Sequence, residues 1–280
     1  MAKTLQTIKG RIRSISATQK ITGAMELVAI SKLRKQRNLM EENREYANQL
    51  AEIVRDILQN SQQIDNQYLR KSSSDGESVV IVFCSDLGLC GGYNVEVFNK
   101  VAECVTDETI LLIGSKLYNQ LKNEGYSLNE EIIYSDMVDY DYISDMVDHL
   151  LYRFVHQEIR SIKVLYTSFV NTMTYVPVFT EVLPVVMEGE GKEEEIIYEP
   201  DPDSILDDLV PMYVKSFIYH SWLESVTSEQ SSRRVAMESA NDNAEKLIEE
   251  LTLEYNQARQ SNITQEITEI IAAADALTEV

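Results

Sequence analysis

The stretch from Met212 to Val280 constrains this chain more than any other, because nothing in it breaks a helix. The last proline is Pro211 and the last glycine is Gly191, which leaves 69 residues of uninterrupted helix-compatible sequence after Pro211. Small and apolar residues recur at Met237, Ala240, Ala244, Leu247, Leu251, Tyr255 and Ala258 in steps of three and four. The rhythm resumes one residue out of phase at Ile263, Ile267, Ile270, Ala274 and Leu277. Such steps trace one stripe along an α-helix, the seam of a coiled coil. At the rise of an α-helix the segment could reach roughly 100 Å. That predicts a projecting shaft paired with another helix, not a helix that merely covers a domain.

A second breaker-poor stretch lies at the other end. From Leu5 to Gln59 there is no proline, and the only glycines are Gly10 and Gly23. Leu5, Ile8, Ile12 and Ile15 step by three and four, a looser patch surrounds Gly23, and the rhythm returns at Leu39, Tyr46, Leu50, Ile53 and Ile57. Two long helices at opposite chain ends can pair as an antiparallel coiled coil, each burying the other's stripe. The seam is poor in leucine, so the pair reads as a thin, partly polar rod, marginal alone and steadied by a surrounding partner.

Between these ends the period changes. Residues 61–77 form a polar linker, and Ser78–Cys84 is a compact β-branched run, a buried strand. Tyr93–Val105 is amphipathic, with Asn94 as the candidate cap; Thr109–Ile113 is a strand and Ser115–Asn123 a short helix ending near Gly125. Glu131–Tyr134 reads as a short strand, Met137–Gln157 as a longer helix, and Arg160–Val170 with Tyr175–Val186 as a hairpin across Asn171–Thr174. The acidic Glu188–Glu195 segment is a loop, and Tyr198–Asp203 is a turn into a helix capped by Asp203 or Ser204. Alternating strands and helices imply an open, mostly parallel, Rossmann-like α/β sheet with an antiparallel edge. The expected fold is therefore α/β: a long antiparallel coiled coil of N- and C-terminal helices with an inserted α/β domain. The expected segments are an N-terminal helix over 1–60, the globular domain over 76–203 and a C-terminal helix over 204–280.

Composition removes several function classes. With 44% hydrophobic and 25% charged residues the chain is globular. No apolar run approaches the ~18 residues that span a bilayer, and the opening MAKTLQTIKGRIRS lacks the apolar core of a signal peptide. Three cysteines, an odd number, suggest reduced thiols in a cytosolic compartment. A net charge of −21 argues against nucleic-acid binding. The imbalance is uneven, since residues 1–37 hold nine basic side chains against the single acid Glu26. A basic rod on an acidic protein implies an acidic partner or an acidic helix alongside.

Little in the sequence is catalytic. Gly88-Leu89-Cys90-Gly91-Gly92 sits where a nucleotide loop would, between a strand and a helix, yet it matches neither phosphate-binding fingerprint. These glycines read as a tight turn against the rod. His149 and His156, seven apart on one helix, lie about two turns or ~10 Å from each other, too far to share an ion. His220 beside Trp222 reads as packed against the domain, Cys84 as core, and Cys90 as accessible but without a neighbour to activate it. No cofactor or metal is expected. The distinctive stretch is Arg259–Glu266, a polar cluster where the stripe slips phase, followed by the nearly uncharged Ile270–Leu277, suited to an apolar sleeve. From the residues alone a second reading stays open, a soluble α/β nucleotide-binding module or enzyme with a coiled-coil dimerisation arm; the missing phosphate fingerprint counts against it.

The stretches IRSISATQKITGAMELVAISKLRK, DLGLCGGYN, NTMTYVPVFTEVLP, YEPDP, SEQSSRRVAM, NDNAEKLIEELTLEYNQARQ and SNITQEITEI carry a resemblance, over essentially the whole length, to the gamma subunits of rotary F-type ATP synthases. The most specific element is ARQ-x3-ITQEI-x-EI at one chain end beside TQKIT-x-AM at the other. The resemblance implies a non-catalytic central rotor shaft turning inside a hexamer of alternating alpha and beta subunits, with catalysis in the beta subunits. It implies that Arg259, Gln260 and Thr264 engage a loop of a beta subunit, and that Met25 lies near the beta subunits' acidic lever. The α/β domain would sit at the foot, against the epsilon subunit and the membrane-embedded c-ring. The complex would lie peripherally on the cytoplasmic face of a bacterial cell membrane, with no direct membrane insertion. The sequence departs from the resemblance at Gly23, where lysine is usual, at Leu87, where arginine is, at Arg234, where methionine is, and in its overall acidity.

Overall fold

The computed structural model describes residues 5–61, 64–69, 76–186 and 198–278. The chain divides into two compact units, Ala29–Arg233 and a second built from both ends, Met1–Val28 with Arg234–Val280. The acidic segment expected as a loop at Glu188–Glu195 lies outside the described residues, as does part of the 61–77 linker.

The larger unit is organised on one sheet of β1 (Glu77–Phe83), β2 (Thr109–Ile113), β3 (Ile159–Asn171) and β4 (Thr174–Leu183), in the order β2-β1-β3-β4. β1 pairs parallel with both β2 and β3, and β4 returns antiparallel on β3. The helices α2 (Tyr93–Cys104), α3 (Tyr118–Asn123) and α4 (Tyr140–Val155) supply the crossovers. The run SVVIVF is apolar without alternation because both faces of β1 are covered. Val80 and Val82 pack with Tyr93, Val97, Val101 and Leu121 of α2 and α3. Val79, Ile81 and Phe83 face the other way, into a core shared with α4 and the two long helices. There α1 (Leu5–Asn60) contributes Met40, Val54 and Ile57, while α5 (Pro202–Thr278) contributes Leu206, Val210, Val214 and Ile218, one residue per turn. Each of these fully buried aliphatic side chains contributes about 2 kcal/mol of burial free energy. The mostly parallel sheet with an antiparallel edge agrees with the sequence reading.

Local chemistry corrects several expected boundaries. Asn94 does not cap α2: the N-cap is Gly92 without a side-chain bond, and Asn94 turns back to exchange hydrogen bonds with Ser85 and Cys90. The expected strand at Glu131–Tyr134 is a single bridge, Ile133 opposite Ile113. The helix expected from Met137 starts at Tyr140, where the Asp139 carboxylate accepts from Tyr142 N at 2.9 Å; Ser135–Met137 is a short 3₁₀ turn. α5 starts at Pro202 rather than after Asp203 or Ser204, and its cap is Asp201, which accepts from Ser204 N at 3.1 Å and Ser204 Oγ at 2.8 Å. Gly114, at φ 110°, leaves β2 so close to β1 that a Cβ would fall on the Cys84 carbonyl, so only glycine fits.

The smaller unit is the paired-helix part. Thr22 and Glu26 of α1 meet Asn241 of α5, whereas Arg11, Ser14 and Ile15 share a groove of about 510 Å³ with Leu247, Glu250, Leu251 and Glu254. Earlier residues of one helix face later residues of the other, so the pair is antiparallel. The inward stripe of α1 here is Leu5, Ile8, Ile12, Ile15, Gln19, Thr22 and Glu26, an unbroken three–four alternation. The patch that looked loose around Gly23 keeps its period and changes only its polarity. On α5 the stripe is Met237, Asn241, Ala244, Ile248, Leu251, Tyr255 and Ala258; Leu247, expected on the seam, is 47% exposed beside it. In the larger unit, Tyr46 and Ile53 are likewise exposed, and Leu50, Val54 and Ile57 carry the packing.

Candidate functional site

Two surfaces carry the chemistry, one in each unit. In the smaller unit, every described side chain of α5 from Arg259 to Ala274 is exposed. Ile263, Ile267, Ile270 and Ile271 stand between 45% and 68% exposed on this single helix. Arg259 and Gln260 are both exposed, on consecutive positions about 100° apart. Their side chains make no hydrogen bond among the described residues, and the Thr264 hydroxyl donates only to the Gln260 carbonyl at 3.0 Å. Met25 is half-buried on α1, in the same unit. Lys9, Arg11, Arg13 and Lys20 form no ion pair among the described residues, so the acidic α5 does not absorb their charge by direct pairing. Exposed isoleucines, free polar side chains and unpaired cations along the two helices make a surface suited to a partner.

In the larger unit the glycine-rich loop is held shut by α5. Ser232 Oγ donates to the Cys90 carbonyl at 2.6 Å, and the Arg233 guanidinium donates to the Leu87 carbonyl at 3.0 Å and the Gly88 carbonyl at 3.4 Å. Ser231 Oγ holds the Thr172 carbonyl of the β3–β4 turn at 2.7 Å. A phosphate cradle offers backbone N–H groups to its ligand, whereas this loop offers carbonyls to a helix. The expected tight turn against the rod is what the structure contains. Cys90, expected as accessible, is buried; burial raises its thiol pKa and pushes that of Cys84 up to about 12, which leaves neither as a nucleophile.

The same helix substitutes for a missing strand. β1 ends opposite Leu165, and two residues further along β3 Ser225 Oγ accepts from Thr167 N at 3.0 Å, while Ser228 Oγ donates to Thr167 O at 3.2 Å. Glu229, Gln230 and Arg233 complete this buried polar seam, with Arg233 Nη1 donating to Glu229 Oε1 at 2.7 Å. Burial pushes the Glu229 carboxyl up to about 7; Arg233 pulls it down, and Asp86 and Asp136 add to the rise. Beside the pair lies a polar cavity of about 270 Å³, lined among others by Lys32, Lys35, Asp86, Asp136, Glu229 and Arg233. His149 is exposed on α4 and His156 is exposed just past its end, His220 sits 3.5 Å from Glu224, and the described residues hold no cluster of three or more His, Cys, Asp or Glu arranged for a metal.

Sequence reading singled out Arg259, Gln260, Thr264 and Met25, and the structure places all four in the smaller unit. It missed Glu229, Arg233 and the serines of α5, whose signal is SEQSSRR, a polar run in a helix that is apolar on either side. It also missed Asn241, whose side chain accepts from the Thr22 hydroxyl and donates to Glu26 Oε2 at 2.7 Å.

The family described as ATP synthase matches residues 4–277. The ATP synthase gamma chain of Alkaliphilus metalliredigens is 38% identical over 287 aligned residues, covering 98% of both chains. The sodium-ion-specific ATP synthase gamma chain of Acetobacterium woodii is 36% identical, covering 99% of this chain and all of its own. Among solved structures, a chain of the Euglena gracilis mitochondrial ATP synthase OSCP/F1/c-ring assembly shares the fold with a TM-score of 0.70 at 15% identity, over 98% of this chain and 94% of that one. A chain of the rotor of the same enzyme gives 0.66 at 15% identity, over 92% and 98%. With relatives this similar along nearly its whole length, the chain belongs to the ATP synthase gamma chain family.

Proposed function

We propose that this chain is the central rotor shaft of an F-type ATP synthase, coupling ion-driven rotation to ATP synthesis or hydrolysis in other subunits. The observation that carries the reading is α5 beyond Ala258, a lone helix with four exposed isoleucines and a free Arg259–Gln260 pair. A single helix that leaves isoleucines exposed is marginal alone, and a hexamer of alternating alpha and beta subunits provides a sleeve for it. The shaft is asymmetric, so it presents different side chains to each of three beta subunits. Each contact shifts that subunit toward a different nucleotide affinity, and rotation moves the shifts around the ring. The chain itself carries out no catalysis.

In this reading Arg259, Gln260 and Thr264 grip a beta-subunit loop, with the planar guanidinium suited to a carboxylate or backbone carbonyls. Met25 and the unpaired cations of α1 face the acidic lever of the beta subunits. The α/β domain meets the epsilon subunit and the c-ring, so the 1–60, 76–203 and 204–280 segments correspond to one arm of the shaft, the foot and the other arm. The assembly lies on the cytoplasmic face of a bacterial cell membrane; no described helix is long and apolar enough to cross it.

The test is Arg259→Ala with Gln260→Ala in the reconstituted complex, reading ATP-driven ion pumping against ATP hydrolysis. The expected result is a fall in ions pumped per ATP, and truncation after Asn256 does at least as much damage. Normal assembly and normal pumping in the double variant would remove the grip from the mechanism.

A further inference from the structure

Glu229 and Arg233 stand one turn apart on α5, each 6% exposed. Their pairing does more than neutralise two charges. Of the guanidinium's nitrogens, Nη1 binds Glu229 and Nη2 holds the Leu87 and Gly88 carbonyls, while Nε has no partner. The carboxylate therefore fixes the orientation that puts Nη2 on the β1–α2 loop. That loop needs fixing, since two successive turns of it, at Leu89 (φ 61°) and Gly91 (φ 55°), are in the left-handed region. For a leucine this conformation costs about 1 kcal/mol or more.

The cavity supplies an alternative. Its walls carry Lys35 of α1 and two carboxylates from the segment leading into α4: Asp136, which Lys32 of α1 meets at 3.1 Å, and Asp139, one of whose oxygens caps α4. Asp86 also lines it, and both its oxygens already accept backbone N–H groups, from Ser115 and Asp136. Around Glu229 itself, the ionisable neighbours are Arg233 on its own helix, Asp86 and Cys90 from the loop, Cys84 at the end of β1, Tyr93 from α2 and Asp136. Only Arg233 among them is a cation in contact; Gln230 adds one neutral donor at 3.3 Å.

We propose that Glu229 and Arg233 form a proton-responsive clamp on the β1–α2 loop. With Glu229 ionised, the guanidinium is held on the loop carbonyls. A proton on the Glu229 carboxylate removes its anionic partner, and the guanidinium turns into the cavity toward Asp136 and Asp139, releasing the Gly88 carbonyl and leaving the Leu87 carbonyl held only from within the loop, by Ser85 Oγ at 2.8 Å and the Cys90 thiol at 3.9 Å. The raised carboxyl of Glu229 puts this exchange near neutral pH. The clamp is a property of the chain itself and does not rest on the rotor reading.

Hydrogen exchange by mass spectrometry on the full-length chain tests it, comparing pH 6 with pH 8 after correction for intrinsic rates. For a carboxyl titrating near 7, the ionised fraction changes from about one tenth to about nine tenths across that interval. Peptides spanning Ser85–Asn94 are expected to lose protection severalfold at pH 6, while β3 peptides change little. Glu229→Gln, permanently neutral, is expected to show the weakly protected loop at both pH values. Equal loop protection at the two pH values in the unsubstituted chain, or an undiminished pH response in Glu229→Gln, overturns the proposal. Should the variant not fold, carbon-13 titration of the Glu229 carboxyl in the unsubstituted chain decides: a midpoint near 7 supports the clamp, and one in the ordinary carboxylate range overturns it.

Discussion

Replacing Arg233 by methionine keeps much of the side-chain volume and removes the one cation, among the described residues, in contact with the buried Glu229 carboxylate. Three interactions go at once: the 2.7 Å bond to Glu229 and the donors to the Leu87 and Gly88 carbonyls. Breaking a buried pair by removing one member costs about 3–5 kcal/mol, because the remaining charge is left uncompensated. The adjoining cavity of about 270 Å³ admits water to that charge, so the lower end, about 3 kcal/mol, applies at pH 8. The cost must depend on pH. Glu229 is raised from its ordinary 4.5 to about 7 in the folded chain, so its contribution to stability is fully present below 4.5 and is lost as pH rises through 7. By that shift the loss is about 3 kcal/mol. Without Arg233 the carboxyl rises further and the penalty extends to higher pH, so Arg233→Met hurts most in alkali and least near pH 6. Urea unfolding of the full-length chain at pH 6 and pH 8 measures this, following the Trp222 fluorescence that reports on the larger unit. A destabilisation below 1 kcal/mol that is equal at the two pH values would refute the argument. The paired change Glu229→Met with Arg233→Met should recover most of the loss, as apolar replacements of a whole buried pair do.

Other perturbations separate the remaining contributions. Asp201→Ala removes the α5 cap and should lower the midpoint of thermal unfolding; no change would assign capping elsewhere. Asn241→Ala leaves the Thr22 hydroxyl and the Glu26 carboxylate without their partner across the seam, for about 1–2 kcal/mol, read as a lower helix melting midpoint by circular dichroism. Gly23→Lys should instead raise that midpoint. A Cβ there meets Asn241 at ordinary contact distance, 3.7 Å, and lysine is a better helix former by about 1 kcal/mol; a fall would mean that the seam cannot admit the side chain.

The coiled coil was legible because its stripe is a matter of spacing, and spacing survives in the sequence. What was not legible is which residues face inward where the stripe turns polar. Around Gly23 the seam positions are Gln19, Thr22 and Glu26, and a search for apolar residues skips them and reports a looser patch. Across from them Ala240 looks like the better seam residue than Asn241, and Leu247 better than Ile248, because apolarity or size was read without knowing what stood opposite. Asn241 is inside because Thr22 and Glu26 are there to receive its oxygen and its amide. A polar residue on a seam can be assigned only together with its partner, and here the partner is more than two hundred residues away in the sequence.

The buried polar run of α5 follows the same logic at the sheet. A helix packed on an apolar sheet face should continue the stripe of Leu206, Val210, Val214 and Ile218, and it does so only as far as strands run beneath it. Beyond Leu165, β3 continues without β1 at its side, so its backbone groups on that edge need partners from elsewhere. Ser225 and Ser228 meet Thr167, Ser231 meets the β3–β4 turn, and Ser232 with Arg233 meets the β1–α2 loop. The change from apolar to polar along α5 thus marks the point where the sheet gives way to loops. Serine suits the task because its short hydroxyl both donates and accepts close to the helix backbone. Arginine reaches the last carbonyls, which lie farther out, and its charge then demands Glu229. Each of these serines answers a backbone group that the sheet leaves open, and the arginine that reaches farthest brings a titratable carboxylate into the interior.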